Sequence, residues 1–147
     1  MERNMDIEEI LSQWKIDGVI DKTELGDESI KKAKLHHKYY EILIKERLKL
    51  KKLDSQLRSL KFEKYEYFTQ GASEEHIQKG WKPLRKIIIK SEVSMYMDAD
   101  EDIINMNLCI SEQQEKVDLL MDILKVIHNR GFDVRNAIEW QKFTMGG

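Results

Sequence analysis

The chain has 147 residues, 41% apolar and 35% charged, with one proline, seven glycines, a single cysteine and a formal net charge of −2. One cysteine excludes an intrachain disulfide, and no stretch approaches the roughly 18 apolar residues of a membrane span. Few helix breakers among many Lys, Glu, Leu and Ile argue against a sheet-dominated fold and for long helices that bury narrow seams.

The first block, Met1 to Ile30, holds 3 basic and 9 acidic residues, a net of −6. Its start, MERNMDIEEI, is acidic where a signal peptide would be basic and then apolar, so an intracellular protein is expected. Asp6-x-x-Glu9 has the form of a capping box. Ile7, Ile10, Leu11 and Trp14 follow at i, i+3, i+4, i+7 and make one apolar stripe, which ends near Asp17-Gly18. Such a helix either docks on its own subunit or serves as an arm for a partner.

The middle block, Lys31 to Lys90, has 17 basic and 7 acidic residues, a net of +10. Asp27 or Ser29 can cap a long helix over about 30–68. Its core positions are Leu43, Leu50, Leu57 and Lys64 in one series, with Glu46, Leu53, Leu60 and Tyr67 in the other. Leu50, Leu53, Leu57 and Leu60 form an a/d seam of coiled-coil type, which implies another helix laid along it. Gln70-Gly71-Ala72-Ser73 closes the helix, and Pro83 biases Lys82 away from helix. Arg85-Lys86-Ile87-Ile88-Ile89-Lys90, with Val93 and Met95 alternating with Ser94 and Tyr96, fits either a short strand pair near 85–97 or a helical turn.

From Ser91 to Gly147 there are 5 basic and 11 acidic residues, a net of −6. A second long helix starts near Asp100. Ile103, Ile110, Val117 and Leu124 recur every seven residues, as do Met106, Gln113, Leu120 and Ile127. The apolar members of this seam are the candidate oligomerisation residues. Gly131 is expected to end the helix as a C′ glycine, with Phe132 and Asp133 opening a last one. The expected architecture is a mainly all-α single domain over 1–147: a long helical hairpin with short terminal helices. Within it lie an acidic arm (1–26), a basic helix and linker (27–90) and acidic C-terminal helices (91–147).

Catalytic motifs are missing from the sequence. Asp98, Asp100 and Asp102 begin like a calcium loop, but Ile103 and Cys109 stand where glycine and glutamate are needed. Acidic residues at a helix start read instead as caps. His36, His37, His76 and His128 have no partner at metal-ligand spacing. There is no nucleophile elbow and no phosphate-binding glycine loop. No enzyme activity, metal or cofactor is expected.

The chemistry lies in the basic, aromatic middle. In Leu60-Lys61-Phe62-Glu63-Lys64-Tyr65-Glu66-Tyr67-Phe68, two lysines sit among four rings, with Arg58 just before them. Lysines attract phosphates and release counterions, and aromatic rings stack on bases for about 1–3 kcal/mol each. Lys82, Arg85 and Lys86 near Trp81 form a second cluster. Single-stranded nucleic acid suits this pattern better than a duplex, whose bases are hidden. The competing reading is a solvated basic helix whose Tyr67 and Phe68 cover a hydrophobic contact, in a helical scaffold that binds proteins and no DNA. If the seams join subunits, the basic clusters line up and moderate contacts become strong by multivalency.

These segments also carry a likeness. Ile20-Asp21-Lys22-Thr23-Glu24-Leu25, Leu60-Lys61 through Glu66-Tyr67-Phe68-Thr69 with Gly71, and Lys90-Ser91-Glu92 ahead of Ala99-Asp100-Glu101-Asp102 are among its carriers. Arg130-Gly131-Phe132 and the terminal helix to Phe143 complete it. In their order and spacing the chain resembles the UvsY family, recombination mediators of T-even-like bacteriophages. The resemblance implies a phage-encoded helical protein acting in the host cytoplasm as a ring-like hexamer or heptamer. It implies sequence-independent binding of single-stranded DNA, and help to a RecA-like phage recombinase in displacing the single-strand DNA-binding protein. The family's DNA-binding Lys-x-Arg pair maps best onto Lys61 and Lys64, with Tyr65, Tyr67 and Phe68 beside them. Here the spacing is Lys-x-x-Lys, and Glu63 lies between the two. Lys also lacks the fork with which Arg grips phosphate.

Overall fold

Asp6 opens the first helix as its spacing predicts: its carboxylate accepts from the Glu9 amide at 2.8 Å and starts α1 (Ile7–Asp17). The computed structural model describes residues 5–146, and among them all regular structure is helical. After α1 come α2 (Leu25–Gln70), α3 (Glu74–Gln78), α4 (Lys90–Asp98) and α5 (Glu101–Thr144). The fold is all-α. No helix among the described residues is long and apolar enough to cross a membrane. Two compact units arise: the residues up to Leu48 with those from Gln114 on, and Lys49–Gln113.

In the first unit α1 docks on its own chain. Ile10 is buried, and Trp14 packs edge-on against the fully buried Tyr39 with ring centroids 5.5 Å apart. The Tyr39 hydroxyl donates to Asp17 at 2.8 Å, and Lys38 reaches the same carboxylate at 2.6 Å. Burial and the Asp17 carboxylate together hold the Tyr39 phenol well above its ordinary range. The N-terminal part of α2 and the C-terminal part of α5 run antiparallel here. Glu28 meets Arg130 at 2.5 Å and Glu46 meets Lys116 at 3.9 Å. Arg130 also donates to the Val19 carbonyl at 3.1 Å, so one buried guanidinium ties the exit of α1 to both long helices.

Three sequence expectations change. First, α2 begins at Leu25 rather than near Ile30, because the buried Leu25 and Glu28 are held on its first turn. The turn before it is organised by Asp21, which accepts from the amide and hydroxyl of Thr23 at 2.9 and 2.6 Å.

Second, α5 runs straight through Gly131. A mid-helix glycine costs about 1 kcal/mol relative to alanine. Ile127 and Val134, buried on either side of it, and the Arg130–Glu28 pair outweigh that cost. Gly71, by contrast, does end α2: its φ is +88° and its amide donates to the Tyr67 carbonyl at 3.1 Å.

Third, no strand forms near 85–97 among the described residues; an irregular segment leads into α4. Val93, Tyr96 and Met97, spaced i, i+3, i+4, pack on Tyr67, Phe68 and Ile88, while Met95 is exposed. The helical stripe wins over the β-like alternation of Val93 and Met95.

The Arg130–Glu28 pair gives the first unit a pH dependence. The Arg130 hydrogen bond, more than offsetting burial, holds the Glu28 carboxyl below its ordinary value of 4.5. A depressed acid stabilises the fold fully above that value and loses its contribution as pH falls below it. The Glu28→Gln variant is expected to lose about 2–4 kcal/mol at pH 7 and to show a flatter decline of melting temperature below pH ~4.5. Parallel pH–melting curves for the two proteins would contradict the assignment.

Candidate nucleic-acid interface

In the second unit the C-terminal part of α2 carries two unlike faces. Residues 57, 60, 64, 67 and 68 point inward, and 58, 61, 62 and 65 point outward, as a period of 3.6 requires. Arg58 and Lys61 are exposed on the outward face together with the rings of Phe62 (63% exposed) and Tyr65 (38%). Cations at i and i+3 with rings at i+4 and i+7 form one basic, aromatic strip about two turns long.

The inward face holds the surprise. Lys64, expected beside Lys61 on the DNA, is only 3% exposed. Its ammonium lies 2.8 Å from Asp102 and 3.0 Å from Asp100. It also sits over the Trp81 ring, 3.9 Å from the centroid, and 5.5 Å from that of Tyr67. A buried cation must be paired, and two carboxylates with an aromatic wall supply that pairing. Asp100 does double duty, accepting from the Ile103 amide at 3.1 Å as the cap of α5.

Around Lys64 the rings form a continuous cluster. Trp81 stacks on His76 with centroids 4.8 Å apart and meets Tyr67 at 5.3 Å; Phe68 meets Tyr96 at 5.9 Å. His76 is buried and structural: its Nδ1 accepts from the Ser73 amide at 3.1 Å, and its own amide donates back to Ser73 Oγ at 3.3 Å. Tyr67 and Phe68 are buried too, so neither ring presents a face to a base.

These buried groups fix the second basic cluster. The Tyr67 hydroxyl donates to the Lys82 carbonyl, and the Ile88 amide donates to the Phe68 carbonyl at 2.9 Å. The chain from Trp81 to Ile89 is thereby fastened to the end of α2. Lys82, Arg85, Lys86 and Lys90 along it are all exposed.

Beside this unit's core lies an open groove of about 640 Å³ lined by Ser55, Ser59, Leu60, Glu63, Trp81 and Asp102, among others. Glu63 pairs there with Lys79. The two groove carboxylates, Glu63 and Asp102, are paired with Lys79 and Lys64, whereas Arg58 and Lys61 stand on the outward face, where Lys61 lines a shallow pocket with Asp98. Among the described residues no three His, Cys, Asp or Glu side chains come together to hold a metal.

The candidate residues therefore separate. Arg58, Lys61, Tyr65, Lys82, Arg85 and Lys86 are at the surface; Lys64, Tyr67 and Phe68 are beneath it. Of the four rings in Leu60–Phe68, Phe62 and Tyr65 are the exposed ones, and Trp81, Asp100 and Asp102 join the site as cage partners of Lys64, a role their spacing does not suggest. Of the candidate oligomerisation residues, Ile103, Val117, Leu120 and Ile127 are buried within the single chain, and Met106, Ile110 and Leu124 are half-buried. The heptad seam of α5 thus supplies the intrachain cores first.

Residues 13–147 match the sequence model of the UvsY family, described as recombination, repair and ssDNA binding protein UvsY. Among solved structures, the chain is similar to crystal structures of the bacteriophage T4 recombination mediator protein UvsY. One, at 19% identity, has a TM-score of 0.79 and covers 97% of this chain and 99% of that one. Another crystal form, at 17% identity, has a TM-score of 0.78 and covers 95% and 99%. A third, at 19% identity, has a TM-score of 0.75 over 91% and 97%. No curated protein sequence matches the chain.

The cage around Lys64 predicts a stability effect separable from DNA binding. Lys64→Met should destabilise the protein by about 3 kcal/mol in urea denaturation, since it leaves the mostly covered Asp100 and the half-exposed Asp102 facing each other without their cation. A loss under about 1 kcal/mol would mean that the cage is not structural.

Proposed function

The chain belongs to the UvsY family of recombination, repair and single-stranded DNA-binding proteins, and from that premise we propose that it is a recombination mediator of phage homologous recombination, repair and recombination-dependent replication. In this reading it binds single strands without sequence preference inside the host cell. It helps a RecA-like recombinase onto DNA covered by single-strand binding protein, and it performs no catalysis.

The observation that supports this most is the outward strip of α2. Arg58 and Lys61 stand beside the exposed rings of Phe62 and Tyr65. Arg58 can grip a phosphate through two parallel hydrogen bonds, Lys61 adds a point charge, and the rings stack on whichever bases pass. Lys82, Arg85 and Lys86 extend the phosphate track along the fastened linker. Lys64, Tyr67 and Phe68 act as positioning residues: they hold that linker and the start of α5 in place.

A single strip offers few phosphate contacts, so affinity rests on multiplication by a ring of six or seven subunits. With much of the heptad seam buried, the apolar side chains available to join subunits include exposed ones on α5, such as Leu108, Met121, Val126, and the stacked pair Trp140 and Phe143. Mediation then follows from binding one path of the DNA backbone better than the path the competing protein imposes. Acidic surfaces outside the basic block are the ground for the recombinase.

The test is the salt dependence of binding to a single-stranded oligonucleotide, read by fluorescence anisotropy with mass by light scattering on the same samples. Arg58→Glu with Lys61→Glu should weaken binding more than tenfold and reduce the log–log salt slope by about 1.4, the loss of two phosphate contacts. An unchanged slope would discard the strip. A monomer that binds as tightly as the assembly would discard the multiplication.

A further inference from the structure

Lys61 and Asp98 carry opposite charges on the wall of one pocket, yet they do not pair. The pocket, of about 220 Å³, lies within the second unit. It is lined by Lys61 of α2, by Ser94, Met97 and Asp98 of α4, and by Ile103 and Asn107 of α5. The spacings i, i+3, i+4 on α4 and i, i+4 on α5 turn each set to one side of its helix. Ile103, buried at 3%, and the half-buried Met97 give the pocket an apolar floor. Lys61, Ser94, Asp98 and Asn107 stand exposed around that floor, and among the described residues no hydrogen bond or ion pair occupies their side chains.

Asp98 has no capping task. Asp100 caps α5 through the Ile103 amide, and Asp98 is the last residue of α4, the helix end that favours cations. The occupant that suits the pocket is small: drug-sized ligands fill about 300–1,000 Å³, so this one admits a single ring system. That group must lie on Met97 and Ile103, donate a hydrogen bond to Asp98, and bring an anion alongside for Lys61. A nucleobase with its phosphate meets all of these conditions, and a methionine thioether packs well against an aromatic ring. Lys61 also belongs to the exposed strip with Arg58, Phe62 and Tyr65, so the pocket borders the proposed path of the strand.

We propose that this pocket takes one base of the bound single strand and selects a base with an exocyclic amine over thymine. The base lies on Met97 and Ile103, and its amine donates to the Asp98 carboxylate. Asn107 offers a donor and an acceptor to the same edge, and Lys61 holds the adjoining phosphate. Adenine, cytosine and guanine each present an amine from which a carboxylate can accept. Thymine's one N–H is flanked by two carbonyl oxygens, which an anion repels. The selection rests on the single-strand-binding reading above and deepens it: phosphate contacts still carry most of the affinity, and the pocket biases which nucleotide settles at one position per subunit.

The full-length protein is titrated by anisotropy against oligodeoxycytidylate and oligothymidylate of equal length, in slightly alkaline buffer that keeps cytosine neutral. Both are weakly stacked pyrimidine strands, so they differ chiefly in the base edge. The wild type should bind the cytosine strand more tightly by about fivefold or more. Asp98→Ala and Ser94→Phe, the second of which fills the pocket, should each bring the two affinities to within about twofold of one another. Losing the anion at Asp98 favours the phosphates of either strand alike, so the ratio isolates the base. Both positions are exposed, and circular dichroism of the variants checks that the helices persist.

A wild type that binds both strands equally, or prefers thymine, overturns the pocket and leaves the single-strand reading intact. A preference for cytosine that survives both changes overturns it too, because the base is then read elsewhere. Loss of the preference in only one variant also overturns it, since filling the pocket and removing the carboxylate must abolish the same contact. If the wild type binds neither strand, the functional reading falls and the pocket with it.

Discussion

A lysine ammonium cannot be left bare inside a protein, and the basic unit of this chain is organised around meeting that demand at Lys64. Two carboxylates from the start of α5 and the ring of Trp81 close around it. The lysine and its partners come from three stretches of chain: the end of α2, the acidic start of α5, and the linker after α3. Satisfying one charge therefore fixes three segments at once. With Asp102 half-exposed, the excess negative charge of the trio stays in contact with water, which lowers the desolvation penalty. The outward cations then stand on a framework that is already ordered.

The first unit uses the same device with the opposite balance. Arg130 is buried against Glu28 and donates to carbonyls at the end of α1. The segments that carry the family likeness coincide with these two clusters. Asp100 and Asp102 supply the partners of Lys64, and Arg130 supplies the partner of Glu28. Much of what makes the chain recognisable is thus framework. The exposed cations Arg58 and Lys61 sit one face away.

Much of the fold was legible because local signals agreed with packing. Asp6 caps α1, Gly71 stops α2, and Leu60 of the leucine seam lines one groove with Met106 of α5. The errors fall where tertiary contacts overrode local pattern. Gly131 reads as a stop until Arg130, Ile127 and Val134 are seen to be buried on either side of it. Val93 and Met95 read as alternating until Tyr96 and Met97 are seen to pack with Val93. For the site, the signal was present and outweighed: Lys64 falls in the same heptad series as Leu43, Leu50 and Leu57, which argues for burial. A lysine in a core series next to a surface lysine invites the wrong pairing, and only the positions of Asp100, Asp102 and Trp81 separate the two roles. Those partners lie too far along the chain for spacing to reveal them.

The unit divides its lysines between a buried one, Lys64, that builds the surface and exposed ones that stand on it. Lysine-by-lysine acetylation, quantified by mass spectrometry with and without single-stranded DNA, tests it most directly. Lys61, Lys82 and Lys86 should be reactive in the free protein and protected by DNA, while Lys64 should be unreactive in both states. A Lys64 that reacts readily in the free protein and is shielded by DNA would contradict it.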